Sequence, residues 1–120
     1  SLFAMAGEDD CPVHDFLNEL KEMDINEFAK AMKLLKDTAE NGPPIKNEQK
    51  CRFFREQKVF ELKTTGGVRI MAFWDADMLI VCTHGFMKKS QKTPPKQLTR
   101  ASTARDQYFH AKQFNAIRRV

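Results

Sequence analysis

The chain has 120 residues, 42% hydrophobic and 30% charged, with only 5 Gly and 5 Pro, which suits one domain over residues 1–120 and excludes a disordered or fibrous chain. No apolar run approaches the roughly 20 residues of a membrane-spanning helix, so no membrane partner is expected. The net charge of +4 is polarised: residues 1–50 hold 6 Lys+Arg against 11 Asp+Glu, and residues 51–120 hold 14 against 5, which points to an anionic partner for the second half.

The opening Leu2-Phe3-Ala4-Met5-Ala6 has no basic flank and is too short for a signal peptide's apolar core, so a short edge strand is expected, and Ser1 in first place suggests a trimmed start. Pro12 suits the first turn of a helix that runs on through His14 to Lys21, with Phe16, Leu17 and Leu20 on its apolar side. Asp24-Ile25-Asn26-Glu27 supplies cap-like residues for a second helix. On it Phe28, Met32 and Leu35 recur at helical spacing, with Lys30, Lys33 and Lys36 as its solvated face. Asn41-Gly42-Pro43-Pro44 ends it, and the two helices read as an αα-hairpin that serves as scaffold.

From Lys58 the period changes to that of strands. Lys58–Thr64 and Val68–Trp74 flank Gly66-Gly67, read as a two-residue hairpin turn with positive φ at both centres. A second turn at Asp75-Ala76-Asp77 leads to a strand over Met78–His84, completing an antiparallel meander. With two-residue loops, Thr64 opposes Arg69, Leu62 opposes Met71, Phe60 and Ile80 oppose Phe73, Cys82 opposes Met71 and His84 opposes Arg69. One face then grades from an apolar block to a polar end bearing Thr64, Arg69 and His84. A final helix from about Lys96 to Ala116 carries Leu98, Ala101, Arg105 and Tyr108 on one stripe. The whole reads as a small α+β domain.

Three cysteines, Cys11, Cys51 and Cys82, are widely spaced and form no CxxC pair. A disulfide framework or zinc site is therefore not expected, and a reducing, cytoplasmic setting is. No phosphate-cradling glycine motif occurs, so no nucleotide cofactor is anticipated, and Cys82 and His84 have no second ligand pair, so no metal is. Cys82 lies in the apolar block and is expected to be inert.

The stretch Phe60-Glu61-Leu62-Lys63, then Arg69, then Thr83-His84-Gly85-Phe86-Met87-Lys88-Lys89-Ser90-Gln91-Lys92-Thr93-Pro94 resembles the phage-derived family named after gene product forty-nine, a branch of the RelE/HigB-like toxins. Pro12-Val13, Phe16-Leu17 and Asn41-Gly42-Pro43-Pro44 extend the likeness over nearly the whole chain. Phe60, Lys63 and Ser90 depart from the usual Trp, Arg and Thr, and Lys cannot reproduce a bidentate guanidinium contact. The resemblance implies a RelE-like fold, with the αα-hairpin and last helix packed on the meander. It also implies the toxin of a type II toxin–antitoxin system: a metal-independent mRNA interferase, often acting on the ribosome, that cleaves by 2′-hydroxyl attack. A cognate helix-turn-helix antitoxin would hold it inactive.

Such cleavage needs a proton acceptor, a group that stabilises the phosphorane and a donor for the leaving oxygen. Arg69 suits the phosphate, because a permanently charged planar fork matches two of its oxygens. His84 titrates near neutrality and faces Arg69 in the register above, so it suits acid–base work. Lys63 joins the catalytic candidates by resemblance, although an ideal hairpin puts it on the face opposite Arg69 unless a bulge re-aims it. Lys88, Lys89 and Lys92 suit RNA phosphates, and Phe86 suits stacking on a base. The rival reading is a non-catalytic module that binds RNA or an antitoxin. A DNA-binding regulator is disfavoured, since the chain shows no helix-turn-helix signature.

Overall fold

The computed structural model describes the backbone of residues 2–6, 10–75, 79–88 and 92–119, and the side chains of these through residue 113. Strand β1 (Leu2–Ala4) precedes helices α1 (Pro12–Met23) and α2 (Ile25–Asn41). Strands β2 (Cys51–Phe54), β3 (Val59–Lys63), β4 (Val68–Asp75) and β5 (Leu79–Met87) follow, then helix α3 (Pro95–Arg119). They form an α+β domain of the expected RelE-like kind, built on one five-stranded sheet in the order β1-β5-β4-β3-β2. β1 pairs in parallel with β5, and the other pairings are antiparallel. No helix among the described residues is long and apolar enough to cross a membrane.

Local signals set the helix ends. Pro12 begins α1, where its missing N–H is no loss. The Asp24 carboxylate caps α2 by accepting from the Glu27 N–H at 3.2 Å, and Gly42 takes φ +80° just beyond its last turn. α1 and α2 cover one sheet face: Val13, Leu20, Ala31, Leu34 and Leu35 pack on Cys51, Phe60, Leu62, Ile70, Ile80 and Cys82. α3 covers the other face, where Leu98, Ala101, Tyr108 and Phe109 meet Val59, Met71, Phe73 and Val81. The central strands β3, β4 and β5 are thus mostly buried on both sides, and the β3–β4 hairpin lies at one end of the sheet.

That hairpin differs from the expected one. Lys63 pairs with Arg69, and the Thr64 N–H donates to the Val68 carbonyl at 3.1 Å, so three residues, Thr65, Gly66 and Gly67, form the loop. Only Gly67 has positive φ, +100°, as in a type I turn closed by a glycine bulge. The extra loop residue shifts the register by one and brings Lys63 onto the same face as Arg69.

The next connection is also longer than expected. Asp75 pairs with Leu79, leaving three residues between them, and these lie outside the described residues, as does the expected strand start at Met78. That shift alone would turn His84 away from Arg69. A bulge between Met71 and Ala72 leaves Thr83 as the extra residue on β5, so that Met71 opposes His84 and Arg69 opposes Phe86. The single apolar block expected on one face is therefore split: Phe60, Leu62, Ile80 and Cys82 face α1 and α2, and Met71 and Phe73 face α3. Asp75, expected as a turn residue, ends β4 as a buried carboxylate that accepts from the Tyr108 hydroxyl at 2.6 Å and the Lys112 ammonium at 2.7 Å.

Candidate functional site

Two ladder rows cross the sheet on the α3 face. Lys63, Arg69 and Phe86 form the row nearest the hairpin, and Glu61, Met71 and His84 form the row behind it. α3 lies over the rear part of this face, so among the described residues the front row sits beyond the helix. Phe86, Lys63 and Arg69 are all half-buried there.

Glu61 organises the site. It is fully buried between the apolar Phe60 and Leu62 of β3, and its Oε2 accepts a 2.6 Å hydrogen bond from the Thr93 hydroxyl. The Arg69 Nε stands 3.6 Å from its Oε1, an ion-pair contact too long for a hydrogen bond. Arg69 Nη1 donates at 2.9 Å to the carbonyls of both Thr64 and Val68, which fixes the guanidinium against the hairpin. Burial lowers the Arg69 pKa and the Glu61 charge opposes that fall; the group stays cationic at any physiological pH.

Lys88 follows Phe86 by two residues, and its backbone N–H donates to the Gly67 carbonyl at 2.8 Å, so β5 and the hairpin close on each other. Burial is the first cause that lowers the Lys88 pKa. The neighbouring cations Arg69, Lys63 and Arg52 add to the fall, and Glu61 opposes it. Three cations, Arg69, Lys63 and Arg52, therefore act on Lys88 at this end of the sheet, against the buried carboxylate of Glu61. A dianionic or polyanionic ligand relieves such repulsion.

His84 is differently placed. It is buried under α3, with Nε2 2.8 Å from Gln97 Oε1 and Nδ1 3.0 Å from the Thr83 hydroxyl. With Gln97 Oε1 as acceptor, Nε2 carries the proton, and the single proton of the Thr83 hydroxyl is shared between Nδ1 and the Met71 carbonyl at 3.3 Å. Burial first, then the Arg100 charge, push its pKa down to about 4 although Gln97 opposes them, so the ring is neutral at pH 7. The Phe86 ring lies over it with centroids 6.0 Å apart and planes at 27°. His84 thus joins β5 to α3 and supports Phe86.

The sequence-predicted residues Lys63, Arg69, Phe86 and Lys88 are brought together; Lys92 lies exposed ahead of α3, and Lys89 lies outside the described residues. Sequence reasoning missed Glu61, Thr93 and Gln97 as parts of the site. A carboxylate within Val59-Phe60-Glu61-Leu62 was the available signal, since a charge in an apolar strand needs a partner. Cys51 and Cys82 are buried, and burial pushes their thiols up to about 11 and about 12, so neither supplies a thiolate. Among the described residues no group of three or more His, Cys, Asp or Glu side chains is arranged to hold a metal ion.

No curated protein matches the chain. The model of one family, described as "Phage derived protein Gp49-like", matches residues 18–106, from α1 to the middle of α3, and so includes both rows of the site. The chain belongs to this phage-derived, Gp49-like family.

Proposed function

We propose that this protein is the toxin of a type II toxin–antitoxin pair, a metal-independent endoribonuclease that cleaves mRNA, free or on the ribosome. The observation that carries this reading is the convergence of Lys63, Arg69 and Lys88 beside Phe86, with Glu61 as the one buried carboxylate among them. Membership of the Gp49-like family is compatible with it.

In this reading Arg69 and Lys63 hold the two non-bridging oxygens of the scissile phosphate, and Phe86 stacks on a flanking base. The Lys88 amine, in its neutral form, takes the proton of the 2′-hydroxyl as its oxygen attacks phosphorus. The P–O5′ bond breaks, and the leaving oxygen takes a proton from Lys63. The products are a 2′,3′-cyclic phosphate and a 5′-hydroxyl. Glu61 and His84 touch no reacting atom: Glu61 positions Arg69, and His84 positions Phe86. A helix-turn-helix antitoxin inhibits by laying an acidic segment across the cationic end of the sheet.

One observation favours a second reading, a non-catalytic module that binds RNA or an antitoxin: the imidazole expected to do acid–base chemistry is shielded under α3 and neutral. Analysis of RNA ends separates the two. Purified protein with mRNA-programmed ribosomes yields fragments ending in 2′,3′-cyclic phosphate if the nuclease reading holds. Salt-sensitive RNA binding with no such ends would replace it by the second reading.

A further inference from the structure

The second basic region of the molecule lies on the other side of the hairpin. A cavity of about 200 Å³ opens between α2 and the β2–β3 edge, and Lys30, Lys33, Lys50 and Lys63 line it, with Asp37 as its one acidic residue. Lys30, Lys33 and Asp37 occupy one stripe of α2 at positions i, i+3 and i+7. The Lys30 ammonium is held by Glu27 at 2.9 Å, whereas Lys33 and Lys50 make no ion pair among the described residues. Both are exposed.

The cavity is continuous with the site through Lys63. The Lys63 N–H donates to the Lys50 carbonyl at 2.8 Å, which sets these two lysines side by side where the chain enters β2. On its other flank Lys63 opposes Arg69, and its charge is felt at Lys88. Lys63 thus links the cations of the site, Arg69 and Lys88, to Lys50 and Lys33 in the cavity, a line of cations around the hairpin end. Such a line tracks an extended phosphodiester backbone better than a compact anion, which would occupy only one part of it.

We propose that the substrate RNA continues past the scissile phosphate over the hairpin and into this groove, where Lys33 and Lys50 hold phosphates of the flanking nucleotides. The inference rests on the RNA reading above and assigns binding energy to the α2 side, which the sequence pattern marked as plain solvated scaffold. Lys36 does not line the groove and takes no part.

The test uses fluorescent 2′-O-methyl oligonucleotides of mixed sequence, about 4 and about 12 nucleotides long, which bracket the site size of a short single-strand groove. The full chain is compared with its Lys33→Gln/Lys50→Gln variant and with Lys36→Gln as control. Wild type binds the longer oligonucleotide more tightly. The double variant loses about tenfold affinity for it, and its salt slope falls by about 1.4, as removal of two single-strand phosphate contacts requires. Its affinity for the short oligonucleotide and its urea midpoint stay those of wild type. Equal binding of the long oligonucleotide by wild type and double variant overturns the groove and leaves the cleavage site standing. A loss seen only on binding to ribosomes free of mRNA assigns the groove to ribosomal RNA and overturns it as a substrate path. Failure of the wild type to bind any RNA removes both readings together.

Discussion

Substitution of Arg69 by Met tests how the site is built. The Glu61 and Arg69 side chains are 1% and 12% exposed, so their contact at 3.6 Å is a buried ion pair. Removing one partner of such a pair commonly costs about 3–5 kcal/mol, because the other charge is left buried and unmatched. Lys88 remains within electrostatic reach of Glu61 and the Thr93 hydroxyl still donates to it, which places Arg69→Met at the low end, about 3 kcal/mol. With a urea slope of about 1.5 kcal/mol per molar, the unfolding midpoint falls by about 2 M. Adding Glu61→Gln removes the stranded charge and keeps an acceptor for Thr93, so the double variant recovers about 2 kcal/mol of that loss. Urea titrations of the four proteins of this cycle measure the coupling. A loss under about 1 kcal/mol in Arg69→Met, or no recovery in the double variant, would refute the claim that Glu61 orients and balances Arg69.

Folding lowers the His84 pKa from 6.5 to about 4, so the folded chain binds fewer protons there than the unfolded one. The associated stability is present above about pH 6.5 and lost as pH falls toward about 4. The stability difference between wild type and His84→Gln should therefore shrink from pH 7 to pH 5 in paired urea titrations; a constant difference contradicts a buried neutral ring. Gly85→Ala should destabilise by about 1–3 kcal/mol, because a Cβ there runs into the Phe16 ring of α1, and thermal melting checks it. Tyr108→Phe should cost about 1 kcal/mol by removing the 2.6 Å bond to Asp75. That bond is also the first cause that pushes the Tyr108 hydroxyl up to about 12, so a spectrophotometric titration should find no ionisation near pH 10.

The parts of the fold set by local chemistry were legible in the sequence. Pro12, Asp24 and Gly42 mark helix ends whatever surrounds them, and the spacing of Phe16, Leu17 and Leu20 on α1 and of Phe28 and Leu35 on α2 marks the packed side. Met32, expected on the same stripe, is instead exposed, and Ala31 and Leu34 pack in its place. Register was harder, because it depends on loops whose length the sequence leaves open. Gly66-Gly67 satisfies a two-residue turn, yet a three-residue loop with Gly67 in the left-handed region uses only one of the glycines for its φ. That single residue moves Lys63 to the Arg69 face, as the family resemblance required and the ideal hairpin forbade.

The position of His84 shows two such effects nearly cancelling. The longer β4–β5 connection turns it away from the α3 face and the Thr83 bulge turns it back, so it shares a face with Arg69 but in the row behind. β2 was missed because Cys51-Arg52-Phe53-Phe54 is too short to show a period, and only its pairing with β3 makes it a strand. Glu61 and Thr93 stand 32 positions apart in sequence, so their bond belongs to tertiary structure. The same holds for the groove beside α2, whose Lys33 and Lys50 come from separate elements.

The central claim is that the cations at the hairpin end of the sheet cleave RNA. Its most direct measurement is single-turnover cleavage of ribosome-bound mRNA, read by its 2′,3′-cyclic ends, for wild type, Lys88→Met and the charge-balanced Glu61→Gln/Arg69→Met variant. Each protein is first shown to be folded by its urea transition. The account predicts cyclic ends from wild type and a loss of at least about 100-fold in rate for both variants, the scale of a missing acid–base or phosphate-stabilising group. Cleavage at the wild-type rate by either folded variant, or no cyclic ends from the wild type, contradicts it.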